Sequence, residues 1–284
     1  MIVNIKNTMK ILADYNIKPQ KKFGQNFLID RNILHKLITS SGINKDDGVI
    51  EIGPGIGALT EALLKAAKKV MAYEIDTRFV EILENELKEY NNLKIINKDF
   101  LKACVKDDLD WFTGCNRILV VSNLPYYITS PIIMKLLKED SLLHEFYLMV
   151  QKEVGVRLTS GPGGKNYGAL SVLMNYQTNS ELMFEVSKHC FYPKPDVESA
   201  VVAIKKKKPS VIFKSENEFL RFIRIIFSQR RKTFINNVAG HYHFKKQKIQ
   251  TVLCELNLHY NIRSENLTLQ NIFDIYQKLF ESPN

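Results

Sequence analysis

Two stretches of the chain carry residue types that could do chemistry. In Val49-Ile50-Glu51-Ile52-Gly53-Pro54-Gly55-Ile56-Gly57 an acid precedes alternating glycines, and in Asn123-Leu124-Pro125-Tyr126 an amide is followed by a proline and an aromatic ring, with Tyr127 beside it. Val49 to Ile52 reads as a short buried strand, and Ala58 to Ala67 has helical apolar spacing at Leu59, Leu63, Leu64 and Ala67. The pattern is therefore strand, turn, helix. Glycine suits such a turn because it tolerates positive φ and, lacking a Cβ, lets a ligand approach the backbone. The helix that follows points its free N–H groups back at that ligand.

Three readings of this turn are open on its residues alone. Gly53-x-Gly55-x-x-Ala58 satisfies the loose dinucleotide fingerprint, a weak signal by itself. Glu51, Gly53, Gly55 and Gly57 match in full the Glu-x-Gly-x-Gly-x-Gly pattern of enzymes that bind S-adenosylmethionine, and an acid on the strand suits that cationic ligand better than a phosphate. The third reading is a tight turn with no ligand.

The Asn123–Tyr126 stretch fits work on an adenine amine. That amine is a poor nucleophile because its lone pair is delocalised into the ring. The side-chain carbonyl of Asn123 and a neighbouring backbone carbonyl can each accept one amine hydrogen, localise the lone pair and aim it. Pro125 presents a carbonyl and has no competing N–H, and the Tyr126 ring can stack on a base swung out of its helix or loop. The plain alternative is an ordinary turn with a core tyrosine.

These residues need elements to position them. Lys69 to Tyr73 reads as a second strand ending at Glu74, 21 residues past Gly53, where an acid can accept hydrogen bonds from ribose hydroxyls. Lys94 to Asn97 is a third strand leading to Asp99, placed to contact the adenine amine of a bound adenosyl group. Arg117 to Ser122 is almost continuously apolar, as an interior parallel strand should be. Phe146 to Val150, Leu182 to Val186 and Ser199 to Ile204 read as further strands. Helices are expected over 31–41 with Asp30 as N-cap, over 58–67, 77–90 and 131–137, then over 216–227, 230–238, 246–256 and 269–280. Strands alternating with helices imply an α/β doubly wound sheet with its ligand at the carboxyl ends of the strands.

Other segments are less patterned. Met1 to Lys22 reads as a leader without an apolar signal-peptide core. The glycine-rich Ser160 to Gly168 has no strand before it and no Gly-Lys-Ser/Thr ending, so it reads as a mobile loop at the substrate face rather than a phosphate loop. In Phe191-Tyr192-Pro193-Lys194-Pro195-Asp196 the prolines stiffen the chain, and Phe191 is a candidate for the far side of the target base. Lys205 to Lys208 followed by Pro209 marks a boundary between a domain over 1–208 and a helical domain over 209–284.

At 284 residues and 45% hydrophobic content the chain can bury a substantial core. No apolar run reaches the ~18 residues of a membrane span. Cys104, Cys115, Cys190 and Cys254 are far apart and read as reduced thiols, and neither they nor the histidines show metal-ligand spacing. The net charge of +10 is uneven: residues 205–284 hold 15 Lys and Arg against 6 Asp and Glu. That bias points to an anionic macromolecule, nucleic acid above all, and Arg230, Arg231 and Lys232 in Ser228 to Thr233 are the candidate phosphate contacts. A solvated basic surface kept for solubility is the alternative.

Taken together, GQNFL (Gly24 to Leu28), EIGPGIGALT (Glu51 to Thr60), YEID (Tyr73 to Asp76), NLPY, MVQKEVGVRL (Met149 to Leu158), YGALSV (Tyr167 to Val172), FYPKPDVESAV (Phe191 to Val201) and FSQRRKTFINN (Phe227 to Asn237) resemble the ribosomal RNA adenine dimethyltransferases of the small subunit. The resemblance runs from about Phe23 to Leu279. It implies a Rossmann-like, S-adenosylmethionine-dependent methyltransferase sheet of seven strands with a small all-α C-terminal domain. It implies that the N-terminal segment to Leu28 closes over the cofactor through Asn26 and Leu28. Gly53 and Gly55 would approach its methionine end, Glu74 its ribose and Asp99 its adenine, and Asn123 would lie between cofactor and target amine. Leu124, Pro125, Tyr126 and Phe191 would complete the catalytic set. The implied reaction dimethylates two neighbouring adenosines in the hairpin loop near the 3′ end of the small-subunit RNA, releasing S-adenosylhomocysteine. The implied enzyme is cytoplasmic, monomeric and metal-free, and works on immature small subunits. Ser187 stands where the family has proline, and Phe100 where a small residue is common. Alternatives are a relative that methylates large-subunit RNA and confers macrolide resistance, a non-catalytic assembly factor and, remotely, a dinucleotide oxidoreductase.

Overall fold

A computed structural model describes residues 2–19, 25–139, 143–209 and 211–281. In chain order these form α1 (Ile5–Asp14), β1 (Phe27–Leu28), α2 (Arg31–Ser41), β2 (Gly48–Ile52), α3 (Ala58–Ala66), β3 (Lys69–Glu74), α4 (Thr77–Glu86), β4 (Leu93–Asn97), β5 (Ile118–Asn123), α5 (Thr129–Lys138) and β6 (Leu143–Gln151). The chain continues with α6 (Lys152–Thr159), α7 (Ala169–Gln177), β7 (Thr178–Val186), β8 (Phe191–Tyr192), β9 (Ser199–Lys206), α8 (Glu216–Ile226), α9 (Phe234–Tyr242), α10 (Lys246–Glu255) and α11 (Leu269–Tyr276). Residues 20–24, which include Gly24 at the head of the GQNFL signature, lie outside the described residues.

The expected seven strands form one sheet in the order β4-β3-β2-β5-β6-β9-β7. β4, β3, β2, β5 and β6 pair in parallel, and β9 runs antiparallel to β6. Val49 sits opposite Val70 on one side and Leu119 on the other. Every residue of β2 is buried, as an interior parallel strand requires. The winding reverses between β2 and β5, and the crevice at that switch point is where sheets of this kind hold ligands.

Local signals explain the helices around the sheet. Asp30 accepts the N–H groups of Asn32 and Ile33 at 2.8 and 3.2 Å, which starts α2, and Gly42 at φ +60° ends it. Such an N-cap contributes about 1 kcal/mol. Gly57, at φ +87°, turns the chain into α3. A Cβ there would stand 2.8 Å from Leu83 Cδ2, so α4 packs down onto the turn itself.

Two compact units divide the chain: residues 1–155 with 181–206, and 156–180 with 207–284. One break falls between Lys206 and Lys207, within the lysine run that precedes Pro209. Residues 156–180, on the N-terminal side of the expected boundary, belong to the second unit. Here the helices α7 to α11 enclose a core in which the rings of Tyr176, Phe213, Phe219, Phe273 and Tyr276 interlock edge to face or stacked.

Several expectations change. The leader holds a helix, α1: Asn4 caps it by accepting Asn7 N–H at 2.8 Å, and Thr8, Ile11 and Leu12 are buried. The N–H of Ile2 donates to buried Glu61 at 2.6 Å, so the leader is fastened to α3. The glycine-rich 160–168 segment lies in the second unit and is tied down: Gly163 N–H donates to the Glu265 carbonyl at 2.7 Å, and Tyr167 packs edge-on against Phe227. α9 begins at Phe234 rather than 230, because Thr233 has extended backbone and Arg230 to Lys232 occupy the preceding turn.

Candidate active site

A cleft of about 530 Å³ opens in the first unit at the carboxyl ends of β2, β3, β4 and β5. Its wall includes Asn26, Leu28, Glu51, Gly53, Gly55, Glu74, Asp99, Asn123, Leu124, Pro125 and Tyr126. Residues spread over a hundred positions of sequence thus converge because four parallel strands end side by side.

The glycine turn forms the floor. Gly53 and Gly55 have φ of +72° and +57°, a region that side chains rarely adopt. A Cβ at Gly55 would come within 3.1 Å of the Phe27 ring, so the N-terminal segment lies directly on the turn. Phe27 also meets Phe79 edge to face at 5.7 Å. Leu28 is held there by β1, whose register pairs Leu28 with Phe191 and Phe27 with Tyr192.

Two acids give the cleft its character. Glu51 is buried and its Oε2 has no hydrogen-bond partner. Burial raises its carboxyl to about 8, against the downward pull of the Thr60 hydroxyl and with the Glu74 charge pushing the same way as burial. A buried carboxyl oxygen with no donor is costly, and an ammonium group on a ligand would supply one. Glu74 is fixed from both sides: Gly55 N–H donates to Oε2 at 3.1 Å and Asp76 N–H to Oε1 at 2.9 Å. Burial pushes its carboxyl up while those backbone donors pull it down. Each oxygen keeps further acceptor capacity for ligand hydroxyls. At the end of β4, Asp99 Oδ1 accepts Leu101 N–H at 2.9 Å, which orients the side chain beside the cleft.

Asn123 closes β5. Its Nδ2 donates to the backbone carbonyl of Asn26 at 3.3 Å. A carbonyl can only accept, so the amide is turned with Oδ1 as the remaining acceptor. The Pro125 carbonyl is occupied by Ile128 N–H at 3.2 Å and the Thr129 hydroxyl at 3.1 Å. That leaves the Leu124 carbonyl as the neighbouring acceptor in the turn. The Tyr126 hydroxyl and Ser199 Oγ share a hydrogen bond of 2.6 Å, which anchors the ring from its far end.

Phe191 departs from expectation. It does not line the cleft: it is 2% exposed, in the hydrophobic cluster beneath the β1–β8 pair. Its ring is covered and cannot stack on a base in this conformation. The pairing that buries it joins positions 163 residues apart (Leu28↔Phe191), which local patterning does not reveal. Conversely, Ile75 and Tyr127 line the rim at 63% and 56% exposure. Only their adjacency to Glu74 and Tyr126 could have pointed to them. Phe100, one of the two departures from the family pattern, is buried against Tyr73 at 5.3 Å and forms part of the cleft wall. The other, Ser187, accepts His189 N–H at 3.3 Å.

In the second unit Arg230, Arg231 and Lys232 are exposed. Arg230 is already engaged, with the Lys165 carbonyl and with Glu265 at 3.4 Å. Among the described residues no group of His, Cys, Asp or Glu could hold a metal ion, and no helix is long and apolar enough to cross a membrane.

An acid with one unpartnered oxygen, a second acid held by backbone donors, and a glycine floor open to a ligand fit a nucleoside ligand with a cationic end, as in S-adenosylmethionine. Comparison with known proteins bears on the same point. Residues 16–279 match the family described as ribosomal RNA adenine dimethylase. The chain is 45% identical over 268 residues to the ribosomal RNA small subunit methyltransferase A of Geobacillus sp. (strain WCH70), covering 93% of this chain and 92% of that protein. It is 42% identical to the protein of the same name from Bacillus licheniformis, covering 96% of each. Among solved structures, a dimethyladenosine transferase from Plasmodium falciparum superposes with a TM-score of 0.74 at 29% identity, over 90% of this chain and 98% of that one. The 23S rRNA methyltransferase ErmE shares the fold, with a TM-score of 0.69 at 22% identity over 89% of this chain and 99% of that one.

Proposed function

This chain belongs to the ribosomal RNA adenine dimethylase family, and from that premise we propose that it transfers methyl groups from S-adenosylmethionine to the exocyclic amines of two adjacent adenosines in the 3′-terminal hairpin loop of small-subunit ribosomal RNA. The substrate in this reading is RNA within an immature small subunit, and the enzyme acts as a cytoplasmic monomer.

When bound, S-adenosylmethionine supplies a methyl group made electrophilic by the adjoining cationic sulfur. The residues of this chain do the positioning. Glu51 and the Gly53–Gly55 turn receive the amino-acid end, Glu74 the ribose hydroxyls and Asp99 the adenine. Asn123 Oδ1 and the Leu124 carbonyl accept the hydrogens of the target amine and aim its lone pair across the cleft. Tyr126, held by Ser199, presents a ring on which the flipped adenine stacks. A reaction of this kind needs orientation and exclusion of water more than a general base, and the ammonium formed on the amine is acidic enough to lose its proton to solvent. After the first transfer one amine hydrogen remains, so one of the two acceptors is left for the extra methyl to pass.

The observation that carries this reading is the Asn123–Asn26 hydrogen bond, which leaves Oδ1 as the acceptor at the cleft. Primer extension on small- and large-subunit RNA after incubation of immature particles with enzyme and cofactor tests it. Stops at two adjacent adenosines of the small-subunit RNA are expected. Stops on the large-subunit RNA alone would contradict it.

A further inference from the structure

The cleft wall beside Asp99 contains a ring that is held by several groups at once. Phe100 lines the cleft together with Asp99 and Tyr73, yet it is only 4% exposed. Tyr73 meets it edge to face at 5.3 Å, and the Tyr73 hydroxyl donates to Asp108 Oδ2 at 2.8 Å, so the second ring is fixed as well. The Lys135 ammonium, from α5, stands 5.6 Å from the centre of the Phe100 ring, within the range at which a cation is drawn to an aromatic face. The same ammonium donates to the Ala103 carbonyl at 2.6 Å and pairs with Glu139 at 2.9 Å. It thereby holds both the ring and the chain that carries it. That chain turns tightly: the Asp99 carbonyl accepts the N–H groups of Lys102 and Ala103 at 2.9 and 3.1 Å.

A buried ring packed in this way has no room to swing aside, because close-packed neighbours would have to leave their own contacts. Other apolar side chains at this end of the cleft differ. Ile75 and Tyr127 also line it, but they stand on the rim, largely exposed, and have solvent to move into. Phe100, unlike them, cannot yield to a larger ligand. It also directly follows Asp99 in the chain, the acid placed to accept from the adenine amine of a bound adenosyl group. A substituent on that amine would run past the carboxylate towards the ring.

We infer that Phe100 is a specificity-determining residue for the methyl donor: clamped by Tyr73 and Lys135, its ring sets the depth of the adenine end and rejects donors enlarged on the adenine amine. The inference rests on the reading that Asp99 receives the cofactor's adenine, and it adds a selectivity that the carboxylate alone does not supply.

The test is equilibrium binding of two ligands, S-adenosylhomocysteine and its analogue with a benzyl group on the adenine amine, to the full-length wild-type protein, Phe100→Leu and Phe100→Ala. The ratio of the two affinities is the readout, since a loss of packing alone lowers both together. The wild-type protein is expected to bind the analogue about 10²-fold more weakly than S-adenosylhomocysteine. Phe100→Ala removes a phenyl ring from the wall, and the analogue brings one, so its affinity should rise by about tenfold or more while that for S-adenosylhomocysteine does not rise. Phe100→Leu empties less of the wall and disturbs the core less, and its ratio should fall between the two. An unchanged ratio in either folded variant would overturn the inference, as would equal binding of both ligands by the wild-type protein. Failure of the wild-type protein to bind S-adenosylhomocysteine would sink the adenosyl reading of the cleft along with it. The expected change of ratio in a protein that transfers no methyl group to RNA would uphold the inference and sink the proposed reaction.

Discussion

The side-chain amide of Asn123 and the backbone carbonyl of Asn26 meet at 3.3 Å across 97 residues of sequence. The contact joins the end of β5 to the N-terminal segment that lies on the glycine turn. It therefore couples the group that aims the target amine to the segment that covers the cofactor cleft.

Replacing Asn123 tests that coupling. Asn123→Ala removes the Oδ1 acceptor and should lower the methyl-transfer rate by about 10²-fold or more, the cost of losing near-attack geometry. S-adenosylmethionine binding by calorimetry should stay within a few fold. Asn123→Asp should fail too, because a carboxylate facing the Asn26 carbonyl has nothing to donate.

The Tyr126–Ser199 pair predicts a smaller, non-additive loss. Ser199→Ala and Tyr126→Phe each remove the 2.6 Å hydrogen bond and free the ring. Each should cost about 1 kcal/mol in kcat/KM, and the double variant should cost no more than the worse single one. Additive losses would show that the two groups act separately.

Glu51 predicts a pH dependence. Its carboxyl, raised by burial to about 8, is protonated at pH 7 in the free protein. The carboxylate is the form that pairs with an ammonium group, so cofactor binding at pH 7 should release a proton. Affinity should rise with pH up to about 8 and then level. Calorimetry in two buffers of different ionisation heat measures that proton. The same shift makes the folded state hold a proton that the unfolded chain loses near 4.5, so free-protein stability falls as pH rises between those values. Glu51→Gln should abolish the proton release and flatten the stability profile.

Two glycines should respond in opposite directions. Gly57→Ala forces a side chain to φ +87° with its Cβ 2.8 Å from Leu83, and should cost about 1–3 kcal/mol. Gly240 lies within α9 with nothing within 4 Å of an added Cβ, so Gly240→Ala should stabilise by about 0.5–1 kcal/mol. Thermal or urea unfolding reads both.

The legible parts of this chain are those governed by local periodicity. Interior strands such as Ile118–Asn123 are apolar runs, and α2 carries its cap at Asp30 and its stop at Gly42, so sequence and structure agree there nearly residue for residue. The cleft was legible because Gly53, Glu74, Asp99 and Asn123 each stand at or just past a strand end, and parallel pairing brings strand ends together. What stayed hidden depends on distant partners. α1 has a narrow buried stripe, with its apolar Ile5 and Met9 left exposed, and shows itself only once Ile11 and Leu12 reach the core. The two-residue strands β1 and β8 carry no pattern of their own, yet their pairing takes Phe191 out of reach of a base. The glycine-rich 160–168 segment reads as loose because the contacts that tie it come from Arg230 and Glu265.

The central claim is that this cleft holds a methyl donor against an adenine amine. Mass spectrometry of nucleosides from unmethylated small-subunit particles, incubated with purified protein and S-adenosylmethionine, tests it most directly. The account predicts the appearance of N6,N6-dimethyladenosine at two neighbouring positions, lost in Asn123→Ala. Unmodified adenosines with the wild-type protein, or methylation undiminished in the variant, would contradict it.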